Sequence, residues 1–277
     1  MLKTISRTWI LLLLLSGCGV QSTNISPTVY PSSTLSTNVR WWRPTPGLTW
    51  QLQFSALPVE MGVEADVYDI DLFENDASVV EALHKQGRKV ICYLSVGSRE
   101  DWRPDAGQFP GEVIGKSYIG WPGERWLDIR RIDLLAPIMR ARLDQCKAKG
   151  FDGVEPDNIE VFTQDSGFPI TYADQLAYAQ WLAAEAHARG LAIGLKNAPG
   201  MVADSLMFFD FAIIESAFFY EWIEETLPFI EAGKPVFAVE YTDTGVDFQA
   251  ACDWSRENQI SMIQKDRMLT SALIVCP

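Results

Sequence analysis

The chain has 277 residues, 48% of them hydrophobic and 21% charged, with a formal net charge of -13. That length leaves room for one large α/β domain and excludes a small module held together by disulfides alone. So acidic a chain does not attract nucleic acid or anionic lipid through its overall field and favours cationic partners.

Lys3 and Arg7 precede an apolar run over residues 9–15, and Leu15-Ser16-Gly17-Cys18 follows at once. The run falls far short of the roughly 20 apolar residues that span a bilayer, so residues 1–17 read as an export signal. LSGC resembles the bacterial lipobox, which implies a lipoprotein signal peptide cleaved before Cys18 and lipidation of that residue. Gly19 after the cysteine points to the outer membrane where the host has one. Loss of Lys3 and Arg7 with the signal takes the net charge from -13 to -15. Residues 18–40 are rich in Ser, Thr, Asn and Pro and poor in large apolar side chains, so they read as a disordered tether holding a domain off the membrane.

Over residues 41–277 short apolar runs alternate with helix-period segments, the pattern of a parallel sheet with crossover helices. Strands are predicted at 50–54, 68–72, 90–95, 153–157, 192–197, 211–215, 236–241 and 260–265. Helices are predicted at about 77–86, 134–149, 172–189, 201–206, 221–232 and 247–258, several stopping at Gly87, Gly150, Gly190 and Gly233. Eight strands in βα alternation predict a single-domain (β/α)8 TIM barrel. An open doubly wound sheet would carry a Gly-rich phosphate loop after an early strand, and the sequence has none. Residues 97–130 form an elaborated loop after the third strand, with a short extra strand expected at 126–129. Trp102, Trp121 and Trp126 in that loop either stack on sugar faces or plug the loop's own small core.

Five cysteines in an exported chain point to disulfides. With Cys18 lipidated, four remain. Cys252 sits in a late helix and Cys276 is the penultimate residue, so a bridge between them would pin a C-terminus that otherwise frays. Cys92 lies on the outward face of its strand with Val90 and Leu94, toward helices such as the one carrying Cys146. That second pair is either bridged or a pair of buried free thiols.

Residues 151–158, FDGVEPDN, carry the densest chemistry. Strand alternation puts Gly153, Glu155 and Asp157 on one face, and an acidic face is expected at the wet rim of a pocket rather than in the core. The plainer alternative for both acids is an N-cap or a buried ion pair. Functional groups of a barrel collect at the C-terminal strand ends. There the chain places Gln53, Asp71, Tyr93, Ser95, Glu155, Asp157, Asn158, Lys196, Asn197, Glu215 and Tyr241. Glu215 ends the apolar run 211–214, where a poorly solvated carboxyl would have the raised pKa of a general acid; Asp157, in a polar corner, is expected to stay ionised. Two carboxyls separated in this way are the equipment of glycosidic bond cleavage. The only histidines, His84 and His187, read as surface residues. No zinc spacing, nucleophile elbow or cofactor motif occurs in the sequence, so no metal or cofactor is expected.

WQLQFSA at Trp50, YDIDLF at Tyr68, VICYLSVGS at Val90, GFDGVEPDN at Gly150, GLKNAP at Gly194, IIES at Ile213 and IQKD before the terminal Cys-Pro together resemble glycoside hydrolase family 114, the endo-α-1,4-polygalactosaminidases. The resemblance covers essentially everything after Arg40. It implies a (β/α)8 barrel that hydrolyses α-1,4-linked galactosamine polymers, with Asp157 and Glu215 as the two acids. Ser216-Ala217 stands where many members have a glutamine and a cysteine, which bears on the subsite contacts. The expected partner is a cationic aminosugar polysaccharide, and the protein is expected to act as a monomer. Asp157 and Glu215 end the fourth and sixth strands, and inward side chains narrow the gap between them, so retention is expected with Asp157 as nucleophile and Glu215 as acid/base. The alternative is a noncatalytic polysaccharide-binding lipoprotein on the same barrel.

Overall fold

The computed structural model describes residues 39–276. The expected signal peptide, the expected lipidation at Cys18 and the expected tether up to residue 38 fall outside the described residues. The chain begins with β1 (Trp50–Gln53), β2 (Val67–Asp71), α1 (Ala77–Lys85) and β3 (Lys89–Ser95). The short strands β4 (Ser98–Glu100), β5 (Ile114–Ser117) and β6 (Glu124–Leu127) follow, then α2 (Ile132–Lys149), β7 (Gly153–Asp157), α3 (Tyr172–Ala188) and β8 (Ala192–Lys196). The last third holds α4 (Val202–Ser205), β9 (Phe211–Glu215), α5 (Leu227–Glu231), β10 (Val236–Tyr241), α6 (Phe248–Glu257), β11 (Ser261–Lys265) and β12 (Ile274–Val275).

Eight strands, β1, β2, β3, β7, β8, β9, β10 and β11, are parallel neighbours in that order and curl into the expected α/β barrel. The seam between β11 and β1 is bridged by side chains: Trp50 Nε1 donates to the Ser261 carbonyl at 2.9 Å, and Lys265 Nζ donates to Gln51 Oε1 at 2.9 Å. The unforeseen β12 runs antiparallel along β11. Between 221 and 232 the expected long helix is a 3-10 turn, Ile223–Thr226, followed by the five-residue α5, with Pro228 in its first turn.

Alternation sorts each strand between two apolar layers. On β8, Ala192 joins Trp50, Phe211 and Phe237 inside the barrel, while Ile193 and Leu195 pack outward against the helices. The inner aromatics come from the first residues of their strands and interlock, Trp50 with Phe237 at 5.5 Å and Phe211 with Phe237 at 5.9 Å between ring centroids. Buried rings of this kind each stabilise by about 1.5–3 kcal/mol. Gly194 also faces inward, and a Cβ on it would stand 2.3 Å from Cε2 of Phe211. The apolar plug therefore occupies the lower half of the barrel, and the polar residues that end the strands occupy the upper half.

The elaborated loop is a three-stranded antiparallel sheet in the order β4-β6-β5. Two buried arginines join it to the barrel. Arg142 on α2, fully buried, donates to Asp105 at 2.7 and 2.9 Å and to the Ser95 carbonyl at 2.7 Å. Arg103 binds Asp71 at 2.9 and 2.6 Å and Glu100 at 2.9 Å. Trp126 is buried against Tyr118 and fills the sheet's own core, whereas Trp102 and Trp121 are 50% and 58% exposed.

Both cysteine pairs are disulfides: Cys92 links β3 to Cys146 on α2, and Cys252 links α6 to Cys276. His84 is exposed, as expected, with Nε2 2.7 Å from Asp152. His187 is not a surface residue. It is half-buried, stacked on Trp41 at 4.0 Å, with Nε2 2.8 Å from Oδ2 of Asp210. Trp41 Nε1 and Arg43 Nη1 donate to the other oxygen of Asp210 at 3.0 and 2.9 Å, so the first described turn of chain is fastened beside the start of β9.

Because the added methyl of Gly194→Ala has no room beside Phe211, this substitution should lower the unfolding free energy by about 1–3 kcal/mol in denaturant titrations. Gly111→Ala, where nothing lies within 4 Å of the new Cβ, should stay within about 0.5 kcal/mol of wild type. Equal effects at the two positions would refute the packing account.

Candidate active site

Five barrel strands deliver their upper residues to one point. Tyr93 on β3 donates its hydroxyl to Asp157 Oδ2 at 2.9 Å, and Tyr241 on β10 donates to Glu215 Oε1 at 2.6 Å. Between the two carboxyls stands Lys196, the last residue of β8, with Nζ 3.1 Å from Asp157 Oδ1 and 3.6 Å from Glu215 Oε2. Each acid thus receives one phenol and shares one ammonium. Asn197, in the left-handed region at φ 49°, turns its Oδ1 to accept the backbone N–H of Glu215 at 2.9 Å and so fixes where β9 ends. The third partner of Lys196 is Glu155 Oε1 at 2.7 Å, buried beneath the pair.

The remaining faces of Asp157 and Glu215, with side chains 20% and 27% exposed, open into a cleft of about 710 Å³. Trp102, Trp121, Tyr118, Glu124 and Glu160 from the insert and the loop after β7 line the cleft, as do Phe54, Leu57, Arg267 and Met268. Glu124 accepts from the hydroxyl of Ser98 and from Asn158 Nδ2. One carboxyl oxygen of Glu160 is buried without a hydrogen-bond partner.

Burial alone would lower the Lys196 ammonium, but Asp157, Glu155 and Glu215 together hold it well above its ordinary value, so it stays charged. Burial raises the phenols of Tyr93 and Tyr241, and the carboxylate beside each raises it further, so both remain donors. Asp69, buried inside β2, is pushed well up by burial and then by Glu155. Burial raises Glu155 as well, with Lys196 opposing. Since Glu155 touches the ammonium and Asp69 does not, Asp69 is the neutral member of the two. On the cleft wall burial pushes Glu124 up to about 7 against the Ser98 hydrogen bond, and burial followed by repulsion from Asp157 pushes Glu160 up to about 7.

Of the residues expected from the sequence, Asp157, Glu215, Tyr93, Lys196, Asn197 and Tyr241 converge, and Asn158 lines the cleft beside them. Four others differ from expectation. Glu155, placed at a wet rim by its polarity, is 1% exposed and neutralised by Lys196. Asp71 edges the cleft, but its charge is taken up by Arg103. Gln53 is fully buried and braces the next loop, donating to the Ser55 and Ala56 carbonyls and accepting from the Glu60 N–H. Ser95 is buried against Ser98 behind the cleft. Glu215 also departs from its expected poorly solvated state, because its side chain is about a quarter open and a lysine and a tyrosine face it. Glu124 and Glu160 were not foreseen. Glu160 follows Asp157 closely enough to be suspected, whereas Glu124 lies in a Gly- and Trp-rich insert without a readable period.

A carboxyl raised in the folded state binds its proton more tightly there than in the unfolded chain. Glu124 and Glu160 therefore subtract stability as pH rises from about 4.5 to about 7, and the loss is complete above that range. The Glu124→Gln/Glu160→Gln variant should melt near wild type at pH 5 and above it at pH 8. Parallel Tm–pH curves for the two proteins would disprove the assignment.

Residues 31–277 match glycoside-hydrolase family GH114. The chain is 36% identical to Aspergillus fumigatus Ega3, whose crystal structure is a complex with galactosamine; the match covers 86% of this chain and 99% of that one at a TM-score of 0.81. The glycoside hydrolase domain of Pseudomonas aeruginosa PelA shares the fold at a TM-score of 0.65 and 15% identity, over 83% of this chain and 98% of that one. An uncharacterized protein of Deinococcus radiodurans is 27% identical over 242 residues, 79% of this chain and 77% of that protein. With every strand that builds the cleft inside the matched span, this chain belongs to glycoside-hydrolase family GH114.

Proposed function

We propose that the protein is an endo-acting hydrolase of α-1,4-linked galactosamine-containing polysaccharide that works with retention, Asp157 serving as nucleophile and Glu215 as acid/base. The observation that carries the reading is the single ammonium shared by two carboxyls that open to one cleft. Contacts of 3.1 and 3.6 Å to Lys196 hold the facing oxygens within about 7 Å of each other. Retaining pairs stand about 5–5.5 Å apart and inverting pairs about 6.5–9.5 Å. Asp157, the nearer of the two to the ammonium, is assigned as the nucleophile. Glu215, farther from Lys196 and the more exposed of the two, is assigned as the acid/base.

In the first step Glu215 gives its proton to the glycosidic oxygen while Asp157 attacks the anomeric carbon. The carbon–oxygen bond to the leaving chain breaks, and a glycosyl ester forms on Asp157. In the second step the Glu215 carboxylate takes a proton from water, whose oxygen attacks the same carbon and releases Asp157, leaving an α-configured reducing end. The substrate class is supported by the galactosamine bound to Ega3 and by Glu124 and Glu160, whose charges the protein does not pair with a cation in the way it pairs Asp71 and Glu155. These two, and not Asp71 and Glu155, are the groups that would meet substrate ammonium.

Export and lipid anchoring at Cys18, with the domain facing periplasm or exterior, belong to the same proposal; two disulfides suit an oxidising compartment. A monomer suffices for it, since one chain supplies both acids.

Asp157→Asn and Glu215→Gln should each cut polymer turnover at least about 100-fold while leaving binding in place. Turnover that survives both changes would discard the assigned pair, and polymer binding with no turnover by the wild-type protein would favour the noncatalytic alternative. Proton NMR of the first products should show α reducing ends, and β ends would replace retention by inversion. Binding by the Asp157→Asn protein should weaken with added salt and with full N-acetylation of the polymer. Equal affinity for the acetylated and free-amine polymers at low salt would assign recognition to the indoles instead.

A further inference from the structure

We propose that Glu155 is a positioning residue: from beneath the cleft it fixes the Lys196 ammonium between Asp157 and Glu215 and tempers the charge that both acids feel. The proposal rests on reading those two acids as the reacting pair.

Glu155 touches no space that substrate can reach. It is 1% exposed, and Lys196 is 3% exposed. Glu155 Oε1 accepts from Lys196 at 2.7 Å, and the neutral Asp69 carboxyl beside it donates to Glu155. An acid pair and an ammonium in the middle of a barrel are expensive, because each buried ion loses several kcal/mol of solvation and a packed apolar layer would serve stability as well or better. The fold places an apolar layer one level lower, with Phe211 and Phe237. The charged layer is therefore explained by what stands above it.

With Asp69 neutral, one cation faces three other carboxyls, Glu155, Asp157 and Glu215. Without Glu155, the whole field of Lys196 would fall on Asp157 and Glu215 and favour their ionised forms, and a general acid held ionised has no proton to give. With Glu155 ionised beneath it, the ammonium is anchored at a fixed height and partly offset. Other groups face Lys196 too. Tyr93, Tyr118 and Tyr241 stay protonated, their phenols raised by burial and by nearby carboxylates. Glu124 and Glu160 flank Asp157 and are common to every variant below.

The test is the position of the pH–activity curve, which a purely structural residue would leave in place while lowering its height. Lys196→Met removes the attraction, so the whole curve should move to higher pH by about one unit or more. Glu155→Gln removes the offset, so the curve should move to lower pH, with kcat reduced and KM nearly unchanged. Asp69→Asn, which keeps a neutral group at that place, should leave the midpoint unmoved. Glu155→Asp, which retains the charge, should hold the wild-type midpoint with reduced kcat, and it carries the test if Glu155→Gln does not fold; unchanged kcat in Glu155→Asp would count against positioning. Shifts of Lys196→Met and Glu155→Gln in the same direction, no shift in either, or an Asp69→Asn shift as large as that of Glu155→Gln would overturn the proposal. Carbon-13 titration of the carboxyls without substrate reads the same opposed shifts. If those appear while galactosamine polymer is not cut, the substrate reading fails and the positioning role stands.

Discussion

The upper half of the barrel depends on one buried ammonium. Lys196 contacts three carboxylates that cannot lie so close without it, since like charges a few ångströms apart in a poorly hydrated site drive one another to protonate. The cation itself would lose its proton if left alone there. Each group is stable only in the company of the others, so the cluster behaves as a unit. Three adjacent strands must end at matching heights for it to form. Pairing supplies that match: Val154 is level with Ile193 across the β7–β8 ladder, and Lys196 is level with Ile213 across β8–β9.

Below the cluster the same sheet solves the opposite problem. Aromatic rings from the strand starts fill the barrel, and Gly194 and Ala192 thin β8 where Phe211 crosses it. The insert of β4, β5 and β6 is held by guanidinium groups rather than by a large apolar face. Arg103 and Arg142 each take carboxylates or carbonyls from the barrel side and the insert side at once. Such clamps tie the position of Glu124 on β6 to the frame that carries Asp157.

The barrel and the acid pair are legible in the sequence because both rest on local rules: a period of two in the strands, glycine stops after the helices, and polar residues collected at strand ends. What escapes is set by partners far away in the chain. Asp71 reads as a free rim acid until Arg103, thirty-two residues on, neutralises it. Glu155 has the same alternation as Asp157, but it lies two residues deeper on β7, so one is buried and the other, at the strand end, is open. His187 reads as a surface residue because nothing near it in sequence announces Trp41 or Asp210. The helix expected over 221–232 has enough apolar residues, but Pro228 denies it an uninterrupted interior. β12 is two residues long and has no period to read.

Trp41 and Arg43 are fastened to Asp210 at the foot of β9, whereas Asp157 and Glu215 crown the opposite end of the sheet. A strand of five residues separates the two levels, about 17 Å at 3.3 Å per residue. The described chain therefore begins beside the foot of the sheet, and the two acids stand at its opposite end. The ring stack and ion pair that fasten Trp41 and Arg43 leave the mouth of the cleft clear.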